Sequence, residues 1–199
     1  KKRMFYYYGA TSNLQGLGFL GFRSVSQTDW HDDTSDVFTN VYNNNVALRG
    51  ALTEKFTIPY RYYPDGYSAP GDFFTKSVIT YDNATDPLQS NKVFKLKTLN
   101  TKEFNSLNNS NSETSDIQYD AFNNVTSSKT YVKEGSTLVK TITSTIDYQT
   151  PITAPYIVGR PLSKTERVVA NGHTMTTNEA YTYNTNQLLA NMDRKAMGT

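Results

Sequence analysis

"GLGFLGFRSVSQTDW", residues 16–30, decides the fold, because two readings compete for its glycines. Gly16, Gly18 and Gly21 have the G-x-G-x-x-G spacing of a dinucleotide-binding turn. That turn needs a strand before it, a helix opening at the third glycine and an acidic residue about 20 positions on, at a strand end. Gly21 is instead succeeded by "FRSVSQTDW", rich in β-formers and hydroxyls and without helical periodicity, and Asp32, Asp33 and Asp36 fall in a polar stretch. The stretch therefore reads as a strand. Leu17, Phe19 and Gly21 alternate with Gly18, Leu20 and Phe22, so both faces are apolar and the glycines make room for close neighbours. The expectation is a buried strand with Phe19 and Phe22 on opposite faces and no ligand beside it.

The rest of the composition agrees with β structure. Of 199 residues 13% are aromatic, 15 of them Tyr, and these together with Thr and Val suit a pleated, half-buried surface. A net charge of +2 with dispersed lysines gives no electrostatic footprint for nucleic acid. The absence of Cys rules out disulfides, a thiol nucleophile and thiolate-bound zinc. No run approaches the roughly 18 apolar residues of a membrane span, and the start, "KKRMFYYYGA", lacks the apolar stretch of a signal peptide and begins without Met. We read the chain as a piece of a longer protein.

Extended segments recur, separated by turn chemistry. "LTEKFTI" puts Leu52, Glu54, Phe56 and Ile58 on one face and Thr53, Lys55 and Thr57 on the other. In "TLVKTITSTIDY", Leu138, Ile142, Ile146 and Tyr148 share a face opposite Val139, Thr141, Thr143 and Thr145. Asn171-Gly172 between two extended runs is the strongest hairpin signal, because both central residues of a type I′ turn need positive φ. Glu134-Gly135 is a weaker one, with a bulged loop as its alternative. The aromatic segment 60–75, "YRYYPDGYSAPGDFFT", reads as an ordered surface loop and the best sub-unit boundary. The polar stretch 100–116 reads equally as a short helical turn over "KEFNSL" or a mobile loop.

A weak repeat runs through these segments. Tyr81-Asp82, Tyr119-Asp120, the inverted pair in "TIDYQT" and Tyr183-Asn184 end successive extended runs at intervals of roughly 28 to 38 residues. The Tyr would lie on a sheet face, and the Asp or Asn would accept from backbone N–H groups to start a turn.

Sites for chemistry are few. Asp29, His31, Asp32, Asp33 and Asp36 form the one clustered metal-capable set, but there is no Gly from 23 to 49 to serve a calcium loop, and turn capping explains the same residues. His31 and His173 lie far apart, and no Ser sits in a G-x-S-x-G elbow. No acidic residue has the apolar surroundings that would raise a catalytic carboxyl, and the tyrosines and Trp30 suit packing better than a sugar platform. No catalytic, cofactor or metal residue is assigned.

"FYYYGATSNLQGLGFLGFRSVSQTDW" resembles a junction of bacterial RHS/YD-repeat proteins and the B component of Tc toxin complexes, matched at Gly16, Gly18, Phe19, Leu20, Gly21, Phe22 and Arg23. "IQYDAFNNVTSSKTY" is similar to the unit Y-D-x-x-G-N/R, with Tyr119 and Asp120 matching and Asn123 in place of glycine, a residue that tolerates the left-handed conformation. "YTYNTNQLLANM" resembles Y-x-Y-D-x-x-G-x-L with Asn184 for Asp and one residue missing before Gln187. The resemblance implies an all-β fold of antiparallel hairpins in a curled, repeat-like sheet. Residues 1–199 would be one segment of a hollow shell that encloses a C-terminal toxin or effector.

Such a segment would be structural and non-catalytic, in a bacterial protein that is secreted or at the cell surface. Its partners would be the remainder of the chain, the enclosed effector, and secretion-system or surface components. No nucleic acid and no membrane span are implied. The alternative reading is an extracellular carbohydrate- or surface-binding adhesion module that uses the 60–75 loop.

Overall fold

The computed structural model describes residues 3–14, 18–29, 36–44, 48, 50–58, 73–82, 97–153 and 156–198. Its contacts group into two compact units, Lys1–Asn111 and Ser112–Thr199. Both are built from antiparallel strands joined to their sequence neighbours, the all-β hairpin fold expected from the composition. The aromatic segment at 60–72 and the cluster His31, Asp32 and Asp33 lie outside the described residues.

The first unit holds β1 (Arg3–Asn13), β2 (Gly18–Asp29), β3 (Val37–Tyr42), β4 (Leu52–Ile58), β5 (Thr75–Tyr81) and β6 (Thr98–Asn105), each antiparallel to the next. The alternation of β4 is realised from Glu54 on, with Phe56 and Ile58 buried and Lys55 exposed, whereas a bulge at Thr53 takes Leu52 out of it. The register pairs Val37 with Ile58 and Thr39 with Phe56, so Val37, Val41, Phe56 and Ile58 form one cluster, against which Phe73 packs. Ser24, Ser26 and Thr28 extend this face onto β2. Ser26 stands opposite Thr39, and their hydroxyls lie 2.8 Å apart. Glu54 follows the same alternation, and its carboxylate is answered by Lys76 Nζ at 3.1 Å.

The glycine stretch departs from its expected geometry. Phe19 and Phe22 touch edge to face at a 5.3 Å centroid distance, and Phe22 also meets Tyr7 at 4.9 Å, so the two phenylalanines share a face. The cause is a bulge. Thr11 pairs with Gly21 and the next residue, Ser12, with Phe19, so Leu20 is an extra residue in β2 and the period-two alternation is lost. The strand is not buried on both sides either, since Phe19 is 57% exposed. Nor do Gly18 and Gly21 make room for neighbours: a Cβ at either would meet nothing within 4 Å. Gly21 is needed because its φ is +108°, which other residues avoid. Gly21→Ala should therefore cost about 1–3 kcal/mol through backbone strain alone, read as a lowered unfolding midpoint. Gly16 lies outside the described residues.

The second unit consists of β7 (Ser110–Tyr119, which opens at the boundary), β8 (Val125–Glu134), β9 (Thr137–Tyr148), β12 (Pro161–Ala170), β13 (His173–Tyr183) and β14 (Leu189–Gly198). The two-residue strands β10 (Ile152–Thr153) and β11 (Tyr156–Ile157) pair in a separate hairpin between β9 and β12. Residues 98–105 and 110–119 are strands, neither the helical turn nor the mobile loop that polarity suggested. Cross-strand contacts such as Thr114 Oγ1 to Thr130 Oγ1 at 2.8 Å replace apolar packing there.

The hairpin turns lie at or beside their expected places. Asn171 and Gly172 have φ of 50° and 76°, and Ala170 pairs directly with His173, as a type I′ turn requires. The other turn is centred one residue later than expected, on Gly135-Ser136, with Glu134 opposite Thr137 and Gly135 at φ 57°. A bulge at Val139, between the pairs Val132–Lys140 and Lys133–Leu138, breaks the strict alternation of β9, and Leu138 is 52% exposed. Among the described residues of this unit no apolar side chain is buried, and Thr177 alone reaches that state. Its described residues thus form no buried apolar core of their own.

Candidate functional site: the tyrosine necks

One local geometry recurs wherever a described strand ends in Tyr followed by an amide or carboxylate residue. The N–H after the Tyr donates across the connection to a carbonyl and closes its neck: Asn43 to Ala51 (2.9 Å), Asp82 to Lys97 (2.9 Å), Asp120 to Asn124 (3.0 Å), Gln149 to Arg160 (2.8 Å) and Asn184 to Leu188 (2.9 Å). The residue after the acceptor starts the next strand. In four of these five necks it pairs with the Tyr itself: Tyr42 with Leu52, Tyr81 with Thr98, Tyr148 with Pro161 and Tyr183 with Leu189. In each of the four the following residue, Thr53, Leu99, Leu162 or Ala190, is an unpaired bulge.

The phenol supplies the second half of the pattern. Tyr81 Oη donates to Leu52 O (2.8 Å), Tyr148 Oη to Val125 O (2.8 Å) and Tyr183 Oη to Pro161 O (2.9 Å). Each acceptor is the residue immediately after the preceding neck's acceptor: Ala51 then Leu52, Asn124 then Val125, Arg160 then Pro161. Each of these three tyrosines thus closes its own connection through the residue next to it and ties down the previous one through its phenol. Partial burial pushes the phenols of Tyr81 and Tyr148 above their ordinary value, and the nearby Asp120 carboxylate adds to the effect at Tyr148.

Two of the necks are tight turns of the same form. The Asp120 carboxylate accepts from the N–H groups of Phe122 (2.9 Å) and Asn124 (2.8 Å) and from Asn124 Nδ2 (2.8 Å), while Asn123 sits at φ 70° and donates back to Asp120 O (3.1 Å). At the other, Asn184 Oδ1 accepts from the Leu188 N–H (3.0 Å), and Gln187, at φ 66°, donates to Asn184 O (2.8 Å). The glycine position of the resembled repeat is thus filled by Asn123 and Gln187 in the left-handed region. No residue is missing before Gln187, which corrects the register read from the sequence. The "TIDYQT" pair is corrected as well: the working pair is Tyr148-Gln149, and Asp147 instead accepts from Ser163 Oγ at 2.8 Å. Tyr42-Asn43 was missed altogether, although a Tyr followed by an amide at the end of "VFTNVY" is the same signal.

A raised phenol pKa has a definite consequence for stability. With the folded value above the unfolded one, near 10, Tyr81 and Tyr148 stabilise the fold fully below about pH 10, and this is lost as pH rises through the folded values. The denaturation midpoint should fall above about pH 10. Tyr81→Phe and Tyr148→Phe should flatten that fall while lowering stability at neutral pH. An alkaline limb unchanged in the double variant would count against the assignment.

Of the metal-capable cluster, the structure describes only Asp29 and Asp36. Asp36 is exposed, Asp29 ends β2, and among the described residues no three His, Asp or Glu side chains are placed to hold an ion. His173 lies exposed beside the Asn171-Gly172 turn.

No family model and no curated protein matches the chain. Solved structures do, among them TcdB2-TccC3 (TM-score 0.66, 10% identity) and TcdB2-TccC3 without its hypervariable C-terminal region (TM-score 0.63, 9% identity). The complex TcdB2-TccC3-Cdc42 matches with a TM-score of 0.63 at 8% identity. Each match covers 96% of this chain and 15% of the other. At such identities the likeness is one of fold: the antiparallel sheet described above is the fold of one segment of those chains, and this chain spans 15% of their length.

Proposed function

We propose that the chain is a structural, non-catalytic wall segment of a bacterial RHS/YD-repeat protein, part of a β-shell of the Tc-toxin kind that encloses a C-terminal effector. The observation that carries this reading is the repeated tyrosine neck on a sheet that buries little of its apolar surface. The necks serve to hold strand ends together, with main-chain carbonyls as partners. Met175 and Met192 of the second unit, which the pairing of β13 with β14 puts on one face, stay exposed, as suits a layer whose apolar face meets other parts of a larger assembly. In this reading the partners are the remainder of the chain and its enclosed effector, and the protein works outside the cell that makes it. The fold shared with TcdB2-TccC3 supports it.

The gene beyond the codon for Thr199 tests the proposal. Further strands ending in Tyr-Asp or Tyr-Asn at intervals of roughly 30–40 residues, followed by a variable domain, would support it. A downstream region without such units would count against it.

A further inference from the structure

We propose that the excursion between β9 and β12 is a clasp that couples the two tight necks on either side of it, through the successive residues Gly159 and Arg160. In an antiparallel meander alternate connections share one end of the sheet. The 120–124 turn, the 149–160 excursion and the 184–188 turn therefore stand in a row, with the excursion in the middle.

Gly159 is pressed against the first turn. A Cβ there would fall 2.7 Å from Asn124 Oδ1, on the side chain whose amide nitrogen bonds Asp120. Its φ of +75° makes the same demand for glycine. Arg160 reaches the second turn. Its Nη1 donates to Gln187 Oε1, and its guanidinium lies 5.0 Å from the centroid of the Tyr183 ring. The main chain between these contacts is held as well, because Arg160 O accepts the neck bond from Gln149 and Pro161 O accepts the phenol of Tyr183.

Neighbouring residues on a held backbone cannot move independently, so loosening one contact displaces the other. The three connections then open as one cooperative unit. Independent caps would open separately, and the two cases differ in an observable way.

Amide hydrogen exchange on the full chain reads the coupling. Arg160→Ala removes a charge-assisted hydrogen bond and a cation–π contact, and exchange at Gln187 and Leu188 should rise on the order of tenfold. A clasp also requires faster exchange at Phe122 and Asn124, with the turns at 135–136 and 171–172 unchanged. Gly159→Ala should loosen Leu188 as well as Asn124, and the double variant should show less than the product of the single effects. Arg160→Lys, which keeps the cation but loses the planar fork, should fall between wild type and Arg160→Ala at both turns. Faster exchange confined to 184–188 in Arg160→Ala, or simple multiplication of effects in the double variant, would overturn the proposal. A uniform rise over the whole chain would do so too.

Discussion

Phe56→Ala should lower the stability of the first unit by about 3–4 kcal/mol, the cost of emptying a well-packed aromatic site. Phe56 is 3% exposed and belongs to the cluster of Val37, Val41 and Ile58, the one buried apolar cluster among the described residues. Its neighbours on the same face of β2 are the small polar Ser24, Ser26 and Thr28, too short to fill the space. The control lies one strand away. Phe38 is 54% exposed, and Phe38→Ala should change stability by no more than about 0.5 kcal/mol. Unfolding midpoints compared at one fixed protein concentration separate the two, and equal effects would mean that the buried face has been misassigned.

The second large effect is at the Asp120 turn. Asp120→Ala removes the acceptor of three hydrogen bonds, two of them from main-chain N–H groups. Bonds to a charged acceptor contribute about 1.5–3 kcal/mol each when buried, but this turn is half open to water, so about 2 kcal/mol in total is expected. Asp120→Asn should cost less than about 1 kcal/mol, because an amide oxygen can still accept from the turn. Asn184 already does so in the 184–188 neck, with one bond to Leu188. Exchange of the Phe122 and Asn124 amides should accelerate strongly in the alanine variant and weakly in the asparagine variant. Similar behaviour of the two would show that the carboxylate is dispensable for another reason.

These two sites show what the sequence could and could not reveal. The Asn171-Gly172 hairpin was legible because its demand for positive φ is local and few residues meet it. The capping role of Asp120 and Asn184 was legible for the same reason: short polar side chains compete for nearby N–H groups. The neck at Tyr148-Gln149 was not. Its closing bond uses a main-chain N–H that almost any residue carries, so an inverted Asp-Tyr looked like the better match. The faces of Phe19 and Phe22 were lost to a single extra residue, Leu20, which reverses the alternation without leaving a compositional trace. The polar strand β7 escaped because its side chains meet those of β8 through hydroxyls and charges, and no apolar period marks it.

The bulge residues matter beyond their effect on register. With Thr53, Leu99, Leu162 and Ala190 each placed just after a neck, the kink comes at a fixed point relative to each tyrosine. A bulge bends its strand and sharpens the local twist, so each of these strands is kinked beside its tyrosine.

The most direct test of the wall reading is sedimentation of the purified 199-residue chain over a range of concentrations. The second unit exposes Met175, Met192 and Met197 on its last two strands, and β14, exposed throughout, ends the strand order with an open edge. Concentration-dependent self-association is the predicted result, relieved when Met175 and Met192 are changed to Thr or Lys. A monodisperse monomer at every concentration, with wild-type residues in place, would contradict the claim that this sheet is one layer of a larger assembly.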